Sequence, residues 1–132
     1  MVGPGTAETL SGVTMLTIDE LVVYTPAKDF ELSKRFYAAL GFELSEGWGD
    51  TMDCRLGNAV FRLQNYYAKQ WAENFMMKFA VSDIDAWHAH CKSVIDSGDF
   101  PGTRCDMPET VGGDTRVFHV WDPSGVLLIF VS

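Results

Sequence analysis

The sequence predicts an α+β fold: two βαβββ modules forming a curved mixed sheet around a cleft, with the helices outside. Three observations predict it. Runs rich in Val, Ile, Leu and aromatics alternate with period two between Gly, Pro and Asn turn signals. Two segments carry a helical period instead. The order strand, helix, strand, strand, strand occurs twice, offset by about fifty-five residues. One such unit alone would leave a sheet face bare, so the pair is expected to share a core around a concavity that can take a ligand. At 132 residues the chain is one domain's worth, long enough to bury ~65–70% of the surface its unfolded form exposes.

The elements follow in order. Met1–Thr14, with its glycines, proline and small polar residues, is read as a flexible tail (residues 1–14) ahead of a single domain over 15–132. Leu16–Tyr24 alternates as a strand ending at Thr25-Pro26. Asp29 is the N-cap for a helix over Phe30–Leu40, in which Leu32, Phe36 and Leu40 fall at four-residue spacing and Gly41 closes the helix. Strands are expected at Phe42–Glu46, Thr51–Leu56 and, beyond a Gly57-Asn58 turn, Ala59–Asn65. These complete a module over 16–65.

Tyr66–Asn74 reads as a linker. The second module, 75–131, opens with the strand Phe75–Val81. Ser82 and Asp85 give a capping-box-like start to a helix whose Ile84, Trp87, Cys91, Val94 and Ile95 share a face, and Gly98 stops it. A short strand follows near Arg104–Met107. Thr115–Trp121 and Gly125–Val131 form a hairpin around Asp122-Pro123-Ser124-Gly125, with Pro and Gly where a type I turn favours them.

Composition narrows function. No apolar run reaches the ~18–20 residues needed to span a bilayer, so a membrane role is not expected. Cys54, Cys91 and Cys105 are odd in number and widely spaced, which suits reduced thiols in a cytoplasmic protein. A formal net charge of −8 repels phosphate backbones and disfavours nucleic acid. Neutral or cationic small molecules are the compatible partners.

Asp29, Phe36-Tyr37 and Leu40-Gly41-Phe42 in the first module, with Val81-Ser82-Asp83-Ile84-Asp85 and Asp122-Pro123-Ser124-Gly125 in the second, resemble the vicinal oxygen chelate superfamily of glyoxalases, extradiol dioxygenases and bleomycin-resistance proteins. The resemblance covers residues 16–131 and implies the glyoxalase/bleomycin resistance fold and a homodimer. It also implies where a metal would be held, by one residue from each of four strands. Those positions carry Glu20 or Val22, Arg62, Met76 and Ile129, and a lone carboxylate does not hold a catalytic divalent ion. The resemblance therefore implies a member with no metal and no cofactor. The leading form is a bleomycin-resistance-like protein sequestering a cationic aromatic drug. A metal-dependent lyase, isomerase or dioxygenase using Glu20 and His119 is the alternative.

Strand parity places Glu20, Val22, Tyr24, Arg62, Gln64, Met76 and Lys78 on the cleft face. By similarity to fosfomycin-resistance relatives, His119 and Val117 also turn inward, and His119 is the leading polar contact. Arg62 and Lys78 either recognise a carboxylate or phosphate on the ligand or pair internally with Glu20. Trp48, Tyr66, Tyr67, Trp71 and Phe75 rim the cleft, stacking on a flat ligand, or pack a dimer seam. His88 and His90 point about 200° apart on their helix and cannot share an ion; His88 borders the buried face and His90 is expected in solvent.

Overall fold

The computed structural model describes residues 9–10 and 13–132. Within the stretch read as a tail, Thr9–Leu10 (β1) and Val13–Thr14 (β2) pair antiparallel; its other residues lie outside the described ones. The first module runs β3 (Val23–Pro26), α1 (Phe30–Leu40), β4 (Glu43–Glu46), β5 (Thr51–Leu56) and β6 (Ala59–Gln64). After α2 (Lys69–Glu73), the second runs β7 (Met76–Ala80), α3 (Ile84–Asp96), β8 (Arg104–Cys105), β9 (Glu109–Val111), β10 (Thr115–Trp121) and β11 (Leu127–Val131). Two mixed sheets result, ordered β3-β6-β5-β4 and β7-β11-β10-β8, with β9 pairing to β10. In each sheet the first strand of the module lies parallel to the last, and no barrel closes.

The helices form where the caps predict. Asp29 accepts from Leu32 N at 3.1 Å. Gly41, at φ 115°, closes α1 in a conformation that costs residues with a Cβ. α1 buries Ser33, Phe36, Tyr37 and Leu40; α3 buries Ile84 and Cys91, with Trp87, Val94 and Ile95 packed at the core's edge. Phe61 and Leu63 of the first sheet and Phe118, Val120, Leu128 and Phe130 of the second point to the same core. Phe118 and Phe130 stack with centroids 4.7 Å apart. Each sheet thus has one face covered by helix and one uncovered.

The motif residues join the modules. Tyr37 Oη donates to the buried Asp122 Oδ2 at 2.7 Å, while Asp122 Oδ1 accepts from the amides of Ser124 (2.8 Å) and Val126 (2.9 Å). Ser124 Oγ accepts from Lys28 N at 2.8 Å. Burial pushes the Asp122 carboxyl up to about 6 against the opposing pull of these hydrogen bonds, and holds the Tyr37 phenol well above its usual range.

Four expectations are corrected. The strand read over Leu16–Tyr24 begins only at Val23. Its parallel register pairs Val23 with Phe61, and β6 extends only two residues further, to Ala59, before the turn. That register would set Val22 and Leu21 across from Val60 and Ala59, and the residues before Leu21 run past the end of β6; Leu16, Ile18 and Leu21 are 95%, 86% and 75% exposed. The linker contains α2, which buries Ala72. The cap of α3 is Asp83, accepting from Ala86 N at 3.0 Å, not a Ser82–Asp85 box. The strand near Arg104–Met107 ends at Cys105, and β9, unforeseen, returns the chain to β10.

Candidate functional site

On the first sheet's uncovered face, Tyr24, Arg62 and Asp53 stand side by side on β3, β6 and β5. Arg62 binds Asp53 through both arms of its fork, Nε–Oδ1 at 2.5 Å and Nη2–Oδ2 at 3.0 Å. Its remaining arm donates to Tyr24 Oη at 3.2 Å. The hydrogen bond from Arg62 holds the Asp53 carboxyl below its usual range and raises the guanidinium. Gly47 permits this closeness, since a Cβ there would come within 3.1 Å of both Arg62 Nε and Asp53 Oδ1. Gln64 flanks the group opposite Thr51. Arg62 does not pair with Glu20, whose Oε1 meets Arg55 Nη2 at 2.7 Å.

On the second sheet's uncovered face, Lys78, Ile129 and His119 form one row and Met76, Leu127, Trp121 and Arg104 the next. Asp106 grips His119 twice: Oδ1 accepts from the backbone amide at 2.6 Å and Oδ2 lies 2.8 Å from Nδ1. The Arg104 guanidinium lies 3.4 Å above the Trp121 ring, and His119 is 6.0 Å from that ring, tilted by 37°. Among the described residues, no hydrogen bond or ion pair engages the side chains of Arg104 or Lys78.

A groove of about 910 Å³ runs between the sheets, bounded by Asp19–Leu21, Val23, Arg55, Ala59–Phe61 and the edge strand β7. Of the residues placed on the cleft face or its rim from sequence, Glu20, Phe75, Met76 and Lys78 line it. Tyr24, Arg62 and Gln64 gather on one sheet face and His119 on the other. Trp71 packs against Tyr66 and Phe75, with centroids 6.3 and 6.2 Å away, and Trp48 is 84% exposed. Sequence reasoning missed Asp53, Asp106 and Arg104. Asp53 was findable, because its parity on β5 sets it across from Arg62. Asp106 falls in the stretch expected as a strand near Arg104–Met107 but lies just past the end of β8, at Cys105.

The metal that the resemblance implies finds no fit among the described residues. Its four strand positions carry Glu20 or Val22 (both outside any strand), Arg62 locked to Asp53, Met76 and Ile129. Among the described residues no three His, Cys, Asp or Glu side chains gather as ligands. Burial pushes the Cys54 and Cys91 thiols up to about 12 and also raises Cys105, so none is poised as a thiolate nucleophile. His88 Nε2 is buried with no partner among the described residues, its ring edge-on to Phe118 at 5.2 Å. His90, though exposed, lies 3.1 Å from the carbonyls of Ala39 and Leu40. Among the described residues no helix is long and apolar enough to cross a membrane.

Solved structures share this fold. The bleomycin-binding protein of bleomycin-producing Streptomyces verticillus, complexed with copper(II)-bleomycin, superposes with a TM-score of 0.72 at 25% identity, over 88% of this chain and 97% of that one. The bleomycin resistance determinant encoded on transposon Tn5 gives 0.71 at 24%, over 86% and 97%. A lactoylglutathione lyase from Agrobacterium tumefaciens gives 0.60 at 14%, over 84% and 92%. No protein-family model and no curated protein matches the sequence. The fold is the glyoxalase/bleomycin resistance fold, and the neighbours are consistent with the vicinal oxygen chelate superfamily.

Proposed function

We propose, from this fold, that the chain binds a small planar organic molecule non-covalently and without a metal, as a homodimer in the cytoplasm, with bleomycin-resistance-like sequestration as the leading concrete form. The observation that carries the reading is the uncovered face of the second sheet, where Trp121, Leu127 and Ile129 offer apolar and aromatic surface beside the fixed imidazole of His119. Such a face suits a flat ligand better than bond-breaking chemistry. The likeness to a bleomycin-binding protein supports the same class of activity. In a dimer the first-sheet face of one protomer and the second-sheet face of its partner would enclose the ligand, uniting His119 with Tyr24, Arg62 and Gln64. Trp48 and Trp71 would lie at the rim.

A thermal-shift screen against bleomycin, other planar aromatics and divalent metals tests this. A ligand present at a hundred times its dissociation constant adds ~2.7 kcal/mol of stability. Stabilisation by planar aromatics, none by metals and a dimer in sedimentation are the expected results. Stabilisation by nickel, zinc, manganese or iron would overturn the metal-free reading in favour of a lyase, isomerase or dioxygenase. The one feature favouring that enzyme is the Asp106–His119 pair, which orients an imidazole as general bases are oriented.

A further inference from the structure

We propose that the uncovered face of the second sheet recognises an anionic group through Arg104, and that the ligand held there is a planar aromatic carboxylate. This rests on the small-molecule-binding reading above and names the chemistry of the ligand. It reverses the sequence expectation of a cationic aromatic.

The stacking of Arg104 on Trp121 carries the argument. With its carbon 3.4 Å above the ring, the guanidinium lies against the indole and covers that side of it. A cationic ligand seeking that side of Trp121 would first have to displace Arg104. An aromatic ligand can instead lie on the outer face of the guanidinium, and a carboxylate can meet its in-plane N–H groups through two parallel hydrogen bonds. Those N–H groups have no acceptor among the described residues, unlike those of Arg62, which Asp53 and Tyr24 occupy. Stacking also restricts the side chain before binding, so less rotamer freedom is lost when the ligand arrives.

The surroundings agree. Asp106, two residues on from Arg104, is engaged by both the amide and the ring of His119, leaving Nε2 to meet a polar substituent. Glu109 sits further along the face, across from Val117. Lys78, also without an acid partner among the described residues, lies two strands from His119, about 10 Å away at ordinary strand spacing. Leu127 and Ile129 fill the interval. A cation at each end of an apolar strip matches a flat ring system bearing acidic groups. The chain's net charge of −8 acts at longer range and is screened within ~8 Å at physiological ionic strength.

The test compares 2-naphthoate with the charge-reversed 2-naphthylmethylammonium by calorimetric titration of the full chain. Naphthoate should bind, and the ammonium probe should not. Arg104→Gln should lower naphthoate affinity about tenfold, and Arg104→Lys should restore only part of it, because an ammonium lacks the planar fork; both should keep the wild-type unfolding midpoint. Binding of the ammonium probe alone, or undiminished naphthoate affinity in Arg104→Gln, overturns the proposal. If bleomycin binds while both naphthyl probes fail, this inference falls and the broader reading stands. If nothing planar binds, both fall.

Discussion

On the first sheet's uncovered face Arg62 is bound to Asp53 and Tyr24, and nearby Arg55 is bound to Glu20. On the second, Arg104 lies on Trp121, and among the described residues Lys78 has no acid partner and one ring nitrogen of His119 has no hydrogen bond. Strand parity treats the two faces alike, assigning each a mixture of charge and aromatic rings. They differ in whether an acid of the same chain reaches the arginine: Asp53 across the ladder and Glu20 ahead of β3 do so on the first face, and among the described residues none does so for Arg104 on the second. A base satisfied internally gives rigidity to the sheet, and one left open can serve a ligand. The lesson is that inward direction alone does not make a charged residue part of a binding site.

The largest way to break this comparison is to loosen what holds the two faces in one body. Asp122→Ala removes a buried acceptor of three hydrogen bonds and should cost about 2–4 kcal/mol of unfolding free energy in urea denaturation. A pH series sharpens the point. The folded carboxyl at about 6 lies above its unfolded value near 4, so the native state holds the extra proton between them. Its contribution is therefore full below about pH 4 and is lost as pH rises to about 6, on the order of 2–3 kcal/mol. Asp122→Asn should flatten that portion of the stability profile.

A second experiment addresses the open face alone. His119→Ala should weaken binding of a planar ligand about five- to tenfold while leaving the melting temperature nearly unchanged; an unaltered dissociation constant would make the imidazole structural. A third converts one face towards the other. Asp53→Asn releases Arg62, and a weak second site for naphthoate, with a dissociation constant in the ~mM range, should appear in titration. The smallest effect belongs to Trp48→Ala: at 84% exposure it should shift stability by no more than about 0.5 kcal/mol, and any loss of affinity would bring the indole into the rim of the cleft.

Much of this architecture was legible in the sequence. The boundaries of α1 were readable because Asp29 and Gly41 satisfy or end the backbone through local hydrogen bonds and dihedral preference, whereas the cap of α3 was set one residue early, at Ser82 in place of Asp83. Sheet faces were readable because parity needs only the strand itself. The missed features depend on distant parts of the chain. Residues 16–20 alternate as a strand does, but in the register of β3 they run past the end of β6, some forty positions onward. The separation of Arg62 from His119 depends on how two sheets meet, which no local period records. The partners Asp53 and Asp106 were lost for different reasons: one was in view but not paired across the ladder, the other lies just past the end of β8, where its contact with His119 depends on how β8 meets β10.

The hydrogen bond between Tyr37 and Asp122 joins residues 85 positions apart, and that separation has a kinetic consequence. Hairpins such as β10–β11 close short loops and gain their contacts early, whereas joining Tyr37 to Asp122 requires most of the polypeptide between them to be gathered first. Module docking then falls late on the folding pathway. Removing the phenol, as in Tyr37→Phe, should steepen the rate of unfolding and leave refolding almost untouched, so that the bond acts chiefly as a brake on escape from the native state.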